Sequence, residues 1–204
     1  MPELVWYFDP VSPFAHLALP AVERLAARRA VILRPVVFGA ILKHWGQLGP
    51  AEIEPKRRHT YRLVTFQAQQ AGLALRFPPR HPFRSLEALR LLAALDSPAP
   101  AVRAVFDFIW GEGRDPSDPG EAEALRQRLG APPPDEGAKE RLRLWTEEAI
   151  ARGVFGVPTL AAGSELFWGA DAMPMAEAYL ADPALFVRGA LGRLAAVEFG
   201  AARR

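Results

Sequence analysis

Ser12 is a lone hydroxyl set where an apolar strand hands over to an apolar helix, in the stretch WYFDPVSPFAHLALP at residues 6–20. Serine followed by proline is a strong helix start. The hydroxyl caps free backbone N–H groups, and proline takes the first helical position. The same place offers chemistry. The first N–H groups of a helix lack intrahelical partners and the dipole is positive there, so the site favours an anion. The chain itself has no cysteine, which excludes disulfides, thiolate metal sites and cysteine nucleophiles. His16 follows Ser12 by four residues, on the same helix face. That pair lacks the G-x-S-x-G elbow and the placed acid that a serine–histidine relay needs. His16, His44, His59 and His81 are the only histidines, and none shows metal-ligand spacing, so no metal site is expected.

Other charged groups are sparse enough to weigh singly. Asp171, in FWGADAM, stands just before a helical pattern and reads as an N-cap aspartate. Lysine occurs only at 43, 56 and 139. Lys43 and Lys56 suit either a solvated basic face or carboxylate binding. The net charge of +2 comes without a long basic stripe interleaved with aromatics; the densest basic points are Arg57-Arg58 and Arg203-Arg204. Nucleic acid is therefore an unsuitable partner. No apolar run approaches the ~18 residues of a membrane span. The start MPEL has no basic region followed by an apolar one, so a cytoplasmic location is the expectation.

The elements that position these groups follow from periodicity. Residues 4–8 read as a buried strand. A helix starts at Ser12-Pro13 and runs to Arg28-Arg29. VILRPVVF, residues 31–38, reads as a second strand, with Pro35 marking an edge or bulge. This β-α-β unit implies parallel pairing. Residues 40–44 suit a helical turn, 46–55 a loop, 56–71 a helix closed by Gly72, and 76–83 an extended proline-rich segment. Helices are expected over 85–95, 102–110, 121–129 and 138–152. GVFGVPTLAAG and ELFWG then read as a hairpin. The chain turns helical again from Asp171, and Pro183 opens a last helical stretch.

The order β-α-β, helices, β-β-α is that of a thioredoxin fold with a helical insertion. YFDPVSPFAHLA, RPVVFGAILKHWGQ, VFDFIWGEGRDPSDP, TEEAIARGVFGVPTL and FWGAD resemble, in this order, segments of the 2-hydroxychromene-2-carboxylate isomerase family. That family is related to kappa-class glutathione transferases and to periplasmic disulfide oxidoreductases. The resemblance implies an α/β, thioredoxin-like fold: a discontinuous domain at 1–39 and 153–204, and a helical insertion domain at 40–152. It implies a glutathione-dependent isomerase of aromatic catabolism, acting on an aromatic carboxylate, in a homodimer.

The resemblance also implies site residues. Ser12 stands where relatives of the wider fold carry C-x-x-C, and would be catalytic by donating to the thiolate of bound glutathione. Pro158 would be cis, with Val157 offering its backbone to the peptide of glutathione. Asp171 would meet the γ-glutamyl amine, the N–H groups of Asp171 and Ala172 its carboxylate, and Lys56 or Lys43 a carboxylate of glutathione or substrate. Phe14, Lys43, Gln47, Arg84 and Trp168 would line the substrate. Arg84 and Gln47 stand where asparagine is common, and His16 where an aromatic is usual. Two rivals stay open: a kappa-like transferase for hydrophobic electrophiles, and a non-enzymatic, cysteine-free peptide binder.

Overall fold

Leu4–Phe8 forms β1, buried along its whole length. Both of its faces are covered, which is why its sequence is continuously apolar rather than alternating. The computed structural model describes residues 2–198 and 200, so Arg203-Arg204 lie outside the described residues. Pro13–Ala26 forms α1, ending before Arg28-Arg29. Val31–Pro35 forms β2, parallel to β1.

The apolar run does not continue as strand to Phe38. It breaks after Pro35, and Phe38–His44 forms α2. Two side chains from distant segments hold this break. Thr146 Oγ1 accepts the Val37 N–H at 3.1 Å, and Asp9 Oδ2 accepts the Phe38 N–H at 3.0 Å.

A helical region follows. It comprises α3 (Glu54–Gln70), α4 (Leu86–Ala94), α5 (Ala99–Phe106), α6 (Pro119–Leu129) and α7 (Glu136–Ala151). The pattern expected over 102–110 starts earlier, and ends in a wide π-type turn at Asp107–Gly111 that keeps Phe108, Ile109 and Trp110 buried. Asp118 and Asp135 cap α6 and α7 through backbone N–H bonds.

Thr159–Ala162 forms β3, antiparallel to β1, and Glu165–Trp168 forms β4, antiparallel to β3. The sheet order is β2-β1-β3-β4, with β1 interior. The β3–β4 hairpin turns at Gly163, whose φ of +63° suits glycine. Met173–Ala181 forms α8, and Gly189–Gly192 a short α9 among tight turns.

Alternation along β1 sends Leu4, Trp6 and Phe8 to one core, with Leu19 and Val22 of α1 and Phe106 of α5. Val5 and Tyr7 enter the other, with Ile41, Leu89, Leu142 and Trp145. Trp6 and Phe8 stack at 4.5 Å. The Tyr7 hydroxyl donates to Glu148 of α7 at 2.5 Å and accepts from Arg152 at 3.1 Å, tying α7 to the sheet. Among the described residues no helix is long and apolar enough to cross a membrane. The N-terminus of α1 opens into a cavity between the sheet end and the helical region.

Candidate active site

Ser12 occupies the N-cap position of α1 in extended conformation, φ −85° and ψ 115°, yet its side chain makes no cap bond. The buried Oγ instead donates to the Val157 carbonyl across a long 3.4 Å. A bond of that length is weak, so the hydroxyl is free to turn to a ligand. The Ser12 N–H is fixed by the Asp9 carbonyl at 2.9 Å, and the Ser12 carbonyl accepts from Ala15 at 3.0 Å. The Val157–Pro158 peptide is cis, as expected, and the Val157 carbonyl lies against Ser12. Trp168 lies opposite Thr159 in the hairpin register, and its indole covers Gly156. A Cβ at position 156 would stand 2.5 Å from Trp168 Nε1. Phe155 meets Trp168 edge to face at 5.2 Å, both rings partly exposed.

The cavity holds about 790 Å³, within the range of a site for a medium-sized organic ligand. Ser12, Phe14, Gln47, Lys56, Arg84, Val157, Trp168 and Asp171 all border it. Lys43, Pro158 and Ala172 do not. Lys43 lies off the cavity wall for a periodic reason: α2 presents Phe38, Gly39 and Leu42 to the cavity, and the next residue is exposed. Asp171 is not the helix cap that its position suggested. Ala172 takes that place, without any side-chain bond. The Asp171 carboxylate folds back over Gly169, whose φ is +95°, and a Cβ there would stand 2.5 Å from Oδ1. His16 is buried away from the cavity, its Nε2 bonded to the Ala74 carbonyl at 2.8 Å, so it does not pair with Ser12.

Charge in the cavity is unevenly committed. Glu52 is bonded to the Gly49 N–H at 2.6 Å. Arg58, beside Lys56, is paired with Glu54. Among the described residues none of the charged groups lining the cavity has an ion-pair partner; Asp9 and Glu52 are engaged by backbone N–H donors, whereas Lys56, Arg84 and Asp171 make no side-chain hydrogen bond.

Several cavity residues were not singled out from sequence. Asp9 is 2% exposed and accepts from the Val11 N–H and the Phe38 N–H, both at 3.0 Å, and the Ser85 hydroxyl favours its charged form. Burial pushes its carboxyl up to about 6, against those bonds. The one signal was an aspartate closing the apolar run LVWYF. His81 Nε2 bonds the Val11 carbonyl at 2.9 Å, and since a carbonyl only accepts, Nε2 carries the proton. Its Nδ1 and its backbone carbonyl both lie 2.8 Å from the Tyr61 hydroxyl and share that single proton, and burial lowers the imidazole pKa. The His81–Pro82 peptide is also cis. On α3, Lys56, Thr60, Leu63 and Gln67 recur at helical spacing along the wall, and Gln67 Oε1 is buried without a partner.

Comparison with known proteins agrees with this architecture. The family model of the DSBA-like thioredoxin domain matches residues 3–181. A 2-hydroxychromene-2-carboxylate isomerase from Pseudomonas putida is 31% identical over 184 residues, covering 84% of this chain and 91% of its own. A kappa glutathione S-transferase from Caenorhabditis elegans is 24% identical, covering 87% and 91%. A solved 2-hydroxychromene-2-carboxylate isomerase superposes with a TM-score of 0.74 at 26% identity, over 95% of this chain and 98% of that one. The relatives are enzymes, which sets aside the reading of a non-enzymatic peptide binder. By family model, sequence and superposition, the chain belongs to the 2-hydroxychromene-2-carboxylate isomerase family of DSBA-like thioredoxin-fold enzymes.

Proposed function

We propose that the protein is a glutathione-dependent isomerase interconverting 2-hydroxychromene-2-carboxylate and trans-o-hydroxybenzylidenepyruvate. The observation that carries this is Ser12: a hydroxyl at a helix N-terminus, uncommitted to the cap and facing the backbone of Val157 beside a cis proline. The cavity residues fit glutathione. A thiolate suits the Ser12 hydroxyl and the positive end of α1. The Val157 backbone suits an extended peptide, Asp171 a free ammonium, and Lys56 a carboxylate. When bound, glutathione would supply a thiolate nucleophile, which the cysteine-free chain lacks.

The protein's own residues orient and stabilise. Ser12 donates a charge-assisted hydrogen bond that holds the thiol ionised. A free thiol of pKa ~8.5 is only a few per cent ionised near neutrality, and each unit of lowering corresponds to about 1.4 kcal/mol. Arg84 offers the second unpaired cation to the substrate carboxylate. Phe14 and Trp168 flank its aromatic ring, with Gln47 at the rim. The same proposal includes a cytoplasmic homodimer, testable by sedimentation.

The similarity to a kappa glutathione S-transferase favours one alternative, conjugation of hydrophobic electrophiles. A single assay separates the two. The chromene carboxylate is supplied with and without glutathione, and product and free thiol are both followed. Isomerisation that requires glutathione and leaves its concentration unchanged is expected. Equal turnover without it contradicts the proposal, and stoichiometric thiol loss supports the transferase.

A further inference from the structure

Asp9 has no place in the chemistry described so far, yet it sits at the root of the site. Among the described residues the buried carboxylates are Asp9 and Asp115. Asp115 is paired with Arg80 at 2.9 Å. Asp9 has no cationic partner, only dipolar donors. They come from two separate segments. Oδ1 accepts the Val11 N–H of the turn that leads into Ser12. Oδ2 accepts the Phe38 N–H at the first residue of α2. The Ser85 hydroxyl, directly before α4 and next to Arg84, favours the charged carboxylate. The Asp9 carbonyl takes the Ser12 N–H, so backbone and side chain of one residue fix the same turn.

We propose that Asp9 is a positioning residue for the reaction: its ionised carboxylate clamps the Ser12 turn and the start of α2 in one arrangement. This rests on the function proposed above. The chemistry requires the charged form. Both oxygens act as acceptors, whereas a protonated carboxyl turns one oxygen into a donor facing an N–H. The clamp then loses a backbone partner buried from water, a costly loss. Burial pushes the Asp9 carboxyl up to about 6, which brings the protonated form in just below neutral pH.

Few other groups face this point. The first turns of α1 and α2 and the cis-proline segment contribute no charge there. The preceding turn and α3 bring Glu52 and Lys56, the segment before α4 brings His81 and Arg84, and the segment before α8 brings Asp171. His81 is the other group able to titrate nearby, so variants must separate the two.

Amide proton shifts of Val11 and Phe38, followed by NMR from pH 5 to 8, read the clamp without reference to activity. In the wild type both should move with one shared midpoint near 6, and kcat/KM should fall about tenfold between pH 7.5 and 5 with that midpoint. Asp9→Asn keeps the size but offers one acceptor oxygen; it should lower kcat/KM at pH 7.5 at least tenfold and abolish the acid limb. Ser85→Ala removes a hydroxyl that favours the charged form and should raise the amide midpoint and the activity midpoint in step. Amides without a common midpoint overturn the proposal. So does an activity limb that persists in Asp9→Asn, or one that stays put when Ser85→Ala moves the amides. Absence of chromene turnover at every pH contradicts the proposed function instead. The clamp is then tested by glutathione affinity, measured calorimetrically, which should weaken with the amide midpoint and overturns the clamp if it does not.

Discussion

At Ser12 the hydroxyl leaves the helix cap unmade and turns to a carbonyl 3.4 Å away. Its loss should therefore cost less than the ~1 kcal/mol of an ordinary cap. Ser12→Ala should melt within a few degrees of wild type but lose about 10²–10³ in kcat, the range for removing a donor to a developing or resting anion. Turnover near wild type would take Ser12 out of the mechanism. Asp171→Ala should raise KM for glutathione more than it lowers kcat, because the carboxylate is proposed to hold a remote part of the cofactor. Steady-state kinetics with glutathione varied would decide, and an unchanged KM contradicts that role. Both residues stand out in the sequence because each lies between a strand and a helical pattern, and both border the cavity, although Ala172 rather than Asp171 takes the cap of α8. Lys43 was attractive for its rarity, but helix phase turns it to solvent. Asp9 and Gln67 were hidden because nothing local marks which buried polar atoms will face a cavity assembled from distant segments.

Helix and strand positions were largely readable from apolar spacing and from serine, glycine and proline punctuation. The end of β2 was not. VVF continues the apolar run, and what breaks it is a pair of acceptors, Asp9 and Thr146, that arrive from 29 and 109 residues away. Thr146 is central to this. Its Oγ1 accepts from Val37 and donates to the Leu142 carbonyl at 2.8 Å. Thr146→Val fills the same space and leaves the Val37 N–H without its acceptor. Denaturant unfolding should show a loss of about 1–3 kcal/mol, and no loss would mean that the break needs no such tie. The π-type turn at Asp107–Gly111 was likewise invisible, since its residues keep a helical apolar pattern.

Across the whole molecule, the strand order followed from the resemblance and from the β-α-β opening, whereas the sharing of α4 between both cores depends on packing that no periodicity encodes. The division into a thioredoxin-like domain at 1–39 and 153–204 and a helical insertion at 40–152 stays a proposal drawn from topology. Stability against pH combines opposing groups. Asp9 has a raised folded pKa, so the native state binds its proton more tightly than the unfolded chain does. Its burial cost is absent below about 4, grows between 4 and 6, and is complete above. His16 and His81 have lowered pKa values, so the stability they contribute is present above ~6.5 and fades as pH falls. Subtracting Asp9→Asn from wild type isolates the first effect. That difference should move against the wild type by about 3 kcal/mol from pH 4 to 7 in denaturant unfolding, and a difference constant with pH would contradict an Asp9 charge buried at a cost.

The account as a whole turns on an anion held at the start of α1. Ultraviolet difference titration of the glutathione complex near 240 nm follows thiolate absorbance against pH. The wild-type complex should titrate at least about one unit below free glutathione, the equivalent of roughly one charge-assisted hydrogen bond. Ser12→Ala should shift the midpoint part of the way back, because the helix N–H groups and dipole remain. A wild-type midpoint indistinguishable from that of free glutathione would contradict the account.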